Sequence, residues 1–320
     1  EFDFVGTKTI KIYTPQTVDL NDYVRSGTER FGAPVEMGDT IQELTLTQDK
    51  SFSITIDKGN NADQMNIKGA AKMLNMQIKE KVVPLMDKYA LGKWAQLAGK
   101  VVGSAEPTRE NITQKIYDGA TALDNELVPG DNRLIYLPSS QYNNLRLSKE
   151  FLAVDNLAEK ALTKGYVGMV ADMRVIKIPD SYLPANARFL ITYKQSVINP
   201  NKIKTMRVLD QQRGIDGSVL EGRNYFDAFV LGARAMGVYT LADTSAVLAA
   251  PAVTISAHSA AITAVAGVTF KYTIDGSDPR YSASAKVYSA AVTTKAGEEF
   301  KAYGEKENCF PSAVTTAKDA

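Results

Sequence analysis

Two side chains on which most enzyme chemistry leans are nearly missing from this sequence, which holds one cysteine, Cys309, and one histidine, His258. A single cysteine excludes an intrachain disulfide and a thiolate metal cluster, and it suits folding in a reducing cytoplasm. A single histidine removes the usual designs for hydrolases, zinc enzymes and phosphotransfer relays. Set among serines and alanines, His258 reads as a surface residue. Neither sign of charge is in excess: 37 basic and 36 acidic side chains leave a net +1. A dedicated polyanion binder would show a basic surplus, so any contact with nucleic acid is expected to be weak and non-specific. No apolar run approaches the length of a membrane span. The 44% hydrophobic and 23% charged content is that of an ordinary globular protein. The opening EFDFVG, with neither Met nor a secretory signal, reads as a processed form or the ordered part of a longer product.

Recognisable catalytic motifs are missing as well. There is no phosphate-binding loop of the Walker type and no dinucleotide fingerprint after a strand. The glycines of RGIDGSVLEG (Gly214, Gly217, Gly222) are loosely spaced and read as a flexible loop. Asp275 and Asp278 in DGSDP lack the further acidic ligands of a calcium loop and read as an Asx-type turn. Glu298 and Glu299 are adjacent on an expected strand, so they face opposite ways and cannot form a glycosidase pair. No catalytic residue, metal ligand or cofactor is expected, and the chain is not expected to be an enzyme.

What the sequence does have is one long period. Over residues 62–98, Ile67, Ala71, Leu74, Ile78, Val82, Leu85 and Tyr89 fall at three- and four-residue steps and predict one stripe of an α-helix roughly 50 Å long. Lys72, Lys79, Glu80, Asp87 and Lys88 lie off that stripe. Pro84 should kink the rod without ending it.

Before the helix, residues 1–32 read as an extended arm, with Ile10 and Ile12 alternating against polar neighbours. TIQELTLT and SFSITID, separated by Gln48, Asp49 and Lys50, read as a long β-hairpin within 33–60. A hairpin and an arm without cores of their own need cover from elsewhere, such as another subunit. After Gly99–Pro107, RENITQKIYDGATALDNELVP predicts a helix capped by Thr108 or Asn111 and stopped by Pro129 and Gly130. RLIYLP reads as a buried strand, SSQYNNLRLSKEFL as a second helix, and the three segments YVGMVADMRVIKIP, FLITYKQSVIN and KIKTMRVLDQQ as strands. A run of small residues with Pro251 reads as a linker at 242–251. Residues 252–320 then read as an independent all-β sandwich. The fold class is α+β with a second, all-β domain.

This order of parts, with the TVDLNDYVRSG arm, the run into IDKGNNADQ, NRLIYLPSSQYNNL and the closing NYFDAFVLGARAMGVYT, resembles the tailed-phage major capsid proteins of the HK97 fold over residues 1–241. The resemblance implies an N-terminal arm (1–32), an E-loop hairpin (33–60), a spine helix with part of the P-domain (61–105), and the A-domain with the rest of the P-domain (106–241). YTIDGSDPRYSASAKVY resembles bacterial Ig-like modules of the chitobiase C-terminal type, which phage coat proteins carry as surface decoration. The function so implied is self-assembly into an icosahedral shell enclosing double-stranded DNA, in a virion assembled in the host cytoplasm. Its implied partners are copies of itself in pentamers and hexamers, packaged DNA, and a portal, scaffold or host surface glycan, with no membrane.

On this reading Asp39, Glu43, Asp49 and Lys50 are candidates for contacts between subunits, and Lys72, Lys79 and Lys88 for an interior face toward DNA. A shell of the encapsulin type and a cell-surface, glycan-binding protein with an Ig-like domain stand as alternatives.

Overall fold

The structure, a computed structural model, describes the chain apart from residues 1, 6–7, 16–19, 27–29, 32–38, 64–68, 150–167, 211 and 320. It divides into two compact units, Glu1–Thr47 and Gln48–Ala320.

In the first unit β1 (Phe2–Val5), β2 (Thr9–Pro15) and β3 (Asp39–Thr45) form an antiparallel sheet in that order. Ile10, Ile12 and Leu46 are buried, as the alternation of the arm predicts.

The second unit begins with β4 (Gln48–Asp57) and α1 (Lys58–Asp63). It continues through α2 (Ala70–Gln77), a π-helical turn (Ile78–Val82) and α3 (Val83–Gln96). Next come β5 (Lys100–Ser104), α4 (Ile112–Asn125), β6 (Arg133–Pro138) and α5 (Ser139–Arg146). Beyond the undescribed stretch lie β7 (Met169–Val170), β8 (Met173–Ile178), β9 (Ala187–Tyr193), β10 (Val197–Ile198), β11 (Asn201–Asp210), β12 (Gly217–Phe226), β13 (Phe229–Val230) and β14 (Val238–Asp243).

The hairpin expected within 33–60 is not formed. Both strands exist, but β3 pairs with β2, whereas β4 pairs antiparallel with β12, from Gln48 opposite Phe226 to Asp57 opposite Gly217. Alternation reveals that a segment is a strand and which residues share a face, but it does not name the partner. The glycine-rich loop is also corrected: Gly217 and Gly222 lie in β12, which is paired on both sides, with β11 as well as β4. Gly222 is required by packing, since a Cβ there would stand 2.2 Å from the Phe52 ring and 2.7 Å from the Met206 sulfur.

A six-stranded sheet, β5-β14-β9-β6-β8-β7, carries the main body, with a core on each face. Phe189, Ile191, Tyr239 and Leu241 join Ile112, Ile116 and Leu123 of α4 and Leu145 of α5. Leu190, Val238 and Ala242, one position out of step, join Ala90, Leu91, Trp94 and Ala95 of α3. The period of two therefore serves two cores with apolar residues on both faces, which explains why β9 reads as a continuous apolar run. α4 forms where expected with Asn111 at the N-cap position, but the Asn111 side chain caps no helix N–H and accepts instead from the Thr108 N–H before the helix, at 2.7 Å.

The long helix is regular on either side of its π turn and differs from expectation in phase. Ile67 lies outside the described residues. Beyond it, the expected stripe at Leu85 and Tyr89 is not the buried one; Ala90, Leu91, Trp94, Ala95 and Ala98 are. The Val83 N–H reaches back five residues to the Ile78 carbonyl, so the widened turn absorbs about one extra residue and advances the buried face by one position. Pro84, which has no N–H to give, follows directly. The proline thus falls at the start of α3, where a missing N–H is tolerated.

Residues 252–320 build two sheets. The first is β15 (Val253–Ser256), β16 (Ser259–Ile262) and β19 (Val292–Thr293). The second is β18 (Lys286–Val287), β17 (Thr269–Thr273), β20 (Glu299–Glu305) and β21 (Thr315–Lys318), in that order. They share a core of Ala260, Ile262, Phe270, Phe300 and Ala302. The linker expected at 242–251 is not free chain. Ala242 and Asp243 belong to β14, and Ala246 is buried in the α3-side core. Phe310, from between β20 and β21, is buried in that same core. The independence expected of this segment gives way to a shared interior.

Candidate assembly surfaces

The three-stranded sheet β11-β12-β4 presents a polar face ruled by register. Arg207 stands opposite Glu221, and Arg223 stands diagonally from Asp49 across β12 and β4. Arg207 donates to Glu221 through Nε at 2.9 Å and Nη2 at 2.6 Å. Arg223 grips both carboxylate oxygens of Asp49, at 3.0 and 2.6 Å. The two arginines, with Ser51, Ser53 and Glu221, line an open depression of about 510 Å³. Phe52 and Ile203 add apolar wall between the hydroxyls, and the charges are already paired across the strands.

The Arg223 hydrogen bond holds the Asp49 carboxyl below its ordinary value of 3.8. A carboxylate lowered on folding contributes its full stabilisation above the unfolded value and loses it as pH falls through the folded one. The pair is exposed, so the effect is small. The difference in thermal midpoint between wild type and D49N should therefore shrink as the buffer passes to the acid side of 3.8. A pH-independent difference would mean that the two-pronged contact does not persist in solution.

Of the four residues expected to reach other subunits, Glu43 pairs with Lys11 at 2.6 Å within the first unit, and Asp49 pairs with Arg223 within the second. Lys50 is exposed beside Asp49 on β4, and the side chain of Asp39 lies outside the described residues. Arg223 could not be matched to Asp49 from the sequence because only the pairing of β4 with β12, which joins residues 174 positions apart, brings them together, whereas Arg207 meets Glu221 across the neighbouring strands β11 and β12.

Lys72, Lys79 and Lys88 are all exposed. Lys72 and Lys79 lie two turns apart and share a face. Lys88 lies beyond the widened turn and is rotated away by about a quarter-turn. Among the described residues of α2, the π turn and α3 as far as Lys88, none is buried, and Met76, Val83 and Leu85 are 44%, 44% and 47% exposed. One end of the helix is thus anchored and the other is an apolar-and-lysine surface. At the anchored end the Tyr89 hydroxyl donates to the buried Asp227 carboxylate at 2.8 Å, and the Tyr89 ring meets Phe226 edge-on. In the first unit, Leu20 and Phe31 are 99% and 84% exposed.

Among the described residues no three His, Cys, Asp or Glu side chains converge as a metal site would require. Asp275 is the Asx turn expected: it accepts from the Ser277 N–H at 3.0 Å and from the Ser284 hydroxyl at 2.6 Å. Glu298 accepts from the Lys295 N–H and Glu299 lies 3.5 Å from Lys301, so neither faces the other as a catalytic pair would. His258 meets Asp319 at 3.0 Å, with most of its ring in solvent.

The Fn3 associated family matches residues 261–318. No curated protein matches the chain by sequence. Among solved structures, the capsid structure of cyanophage P-SCSP1u is 15% identical, with a TM-score of 0.58 over 75% of this chain and 84% of that one. A structure from Mycobacterium phage Che8 is 16% identical, with a TM-score of 0.56 over 74% of this chain and 85% of that one. A third, the mature capsid of bacteriophage PhiM1, gives 13% identity and a TM-score of 0.53 over 74% and 82%. The mixed helix-and-sheet fold of this chain is one that it shares with phage capsid structures.

Proposed function

We propose that this chain is the major capsid protein of a tailed phage, a subunit of the HK97 fold that assembles with its own copies into a closed icosahedral shell around double-stranded DNA. The likeness to phage capsid structures over about three-quarters of the chain carries the reading. Two physical features support it. The outer half of the long helix leaves Leu85 47% exposed, on a face apart from Lys72 and Lys79 and suited to burial against a neighbouring subunit. The first unit is a three-stranded sheet with few buried side chains among its described residues, which a neighbour would stabilise.

In this reading the E-loop expected at 33–60 moves, because β3 pairs with β2 and not with β4, and β2 with β3 and the chain between them is the candidate for it. The spine is the helix from α2 through α3, and the body around the six-stranded sheet, with a core on each face, supplies the P- and A-domains. Residues 252–320 are an Ig-like module on the shell exterior. Lys50, exposed on β4, is the candidate to reach a neighbour, with Asp39 of β3 proposed as well, while Glu43 and Asp49 pair with Lys11 and Arg223 within their own sheets. Lys72 and Lys79 form a shared interior face toward packaged DNA, with contacts that weaken as salt rises.

Negative-stain electron microscopy of the purified protein, with sedimentation alongside, tests the proposal. Closed shells tens of nanometres across, or rings of five and six subunits, are the expected result. A chain that stays monomeric under assembly-promoting conditions would overturn it.

A further inference from the structure

The C-terminal segment meets the body at the end of the long helix. After the Asx turn at Asp275, the Asp278 carbonyl accepts from the Tyr281 and Ser282 N–H groups, both at 3.1 Å, which fixes a tight bend. That bend aims Arg280 and Tyr281 at the chain leaving α3. The Arg280 side chain is 8% exposed; it donates through Nη1 to the Gly99 carbonyl at 3.0 Å and the Ala98 carbonyl at 3.4 Å, and through Nη2 to Asp278 at 2.8 Å. The Tyr281 hydroxyl donates to the Leu97 carbonyl at 2.7 Å.

These three carbonyls follow Gln96, the last residue of α3, where a helix runs out of intrahelical donors and carries the negative end of its dipole. A guanidinium there matches both needs. Burial alone would lower the Arg280 pKa; the hydrogen bond it donates to Asp278 and nearby charges outweigh it, so the group stays charged. Burial raises the Tyr281 phenol, which keeps it a donor.

Two further contacts hold the segment, the first independent of this one and the second seating Tyr281 itself. Phe310 is 3% exposed in the α3-side core, and its N–H donates to the Ala246 carbonyl at 2.7 Å. Gly232 admits the Tyr281 side chain closely, since a Cβ there would stand 2.9 Å from the Tyr281 Cβ.

We propose that residues 252–320 act as a clamp on the end of the long helix, with Arg280 and Tyr281 as its jaws and Phe310 as its anchor, so that the segment is an obligate part of the subunit and not a freely hung ornament. The contacts lie within one chain, so the inference stands or falls independently of shell formation.

Hydrogen exchange on the full-length chain tests it. Arg280→Met keeps the bulk of the side chain and removes its donors. Exchange should then rise about tenfold in peptides covering 91–104, while peptides from β17 and β20 stay protected because their own core is untouched. Unchanged exchange at 91–104 would overturn the proposal. If Arg280→Met loses protection everywhere, Tyr281→Phe decides: a rise confined to 91–104 supports the clamp, and none overturns it. In the wild-type chain, body and segment should lose protection at one denaturant midpoint. Two separate midpoints would also overturn the clamp.

Discussion

Replacing Leu85 by aspartate should leave the subunit folded and stop shells from forming. Leu85 is 47% exposed on the uncovered half of the long helix, beyond the reach of either core of the body. An exposed helix position away from a core changes stability by about 0.5 kcal/mol or less on substitution. If a neighbouring subunit covers this face, however, the carboxylate must be desolvated without a partner, at a cost of about 2 kcal/mol or more per contact, repeated in every copy around the shell. The measurement pairs circular dichroism melting with electron microscopy of the same preparation. A wild-type melt without particles is the expected result. Normal particles from the aspartate variant would remove this face from the interface, and a lowered melt would place Leu85 in the subunit's own interior.

Replacing Gly99 by valine should have the opposite profile, a large loss of stability in the chain itself. A Cβ at Gly99 would lie 2.2 Å from the Ala235 carbonyl oxygen and 2.7 Å from the Met236 nitrogen, both backbone atoms that cannot swing aside. Gly99 also donates its own N–H to that oxygen at 3.1 Å, immediately before β5 enters the sheet beside β14. Relief requires the two segments to part, which strains the parallel pairing of β5 and β14. Overpacking of this kind costs about 3 kcal/mol or more. In a unit of this size the thermal midpoint should fall by roughly 6–12 °C. Gly130→Ala is the control, because a Cβ there meets nothing within 4 Å. Equal effects from the two variants would mean that the close approach at Gly99 is not present in solution.

Elements whose cause is local were legible in the sequence. α4 is announced by Asn111 and by Ile112, Ile116, Ala120 and Leu123 at helical spacing; β6 and β9 are announced by short apolar runs between turn signals. Features set by distant partners were not legible. The residues of β4 specify a strand, but its pairing with β12 depends on Phe52 and Met206 meeting over Gly222, a fit no local window contains. The same glycine lowers strand propensity, so the segment that completes the sheet reads as a loop. Phe310 and Tyr281 read as parts of a small sandwich because apolar side chains do not say which core they enter. For the candidate surfaces, the exposure of Lys72, Lys79 and Lys88 is no test of the helical period, since no described residue from α2 to Lys88 is buried, and the engagement of Glu43 by Lys11 and of Asp49 by Arg223 required the register of paired strands.

The widened turn at Ile78–Val82 gives the long helix an adjustable aim. Each half is regular, and the surplus residue between them fixes the compass bearing of the outer half relative to the part held by the body. Gain or loss of one residue in that turn would swing Met76, Lys72 and their neighbours by about 100° while Leu91, Trp94 and Ala98 kept their seats. A lineage could therefore redirect the surface its subunits show one another without redesigning the interior that folds them.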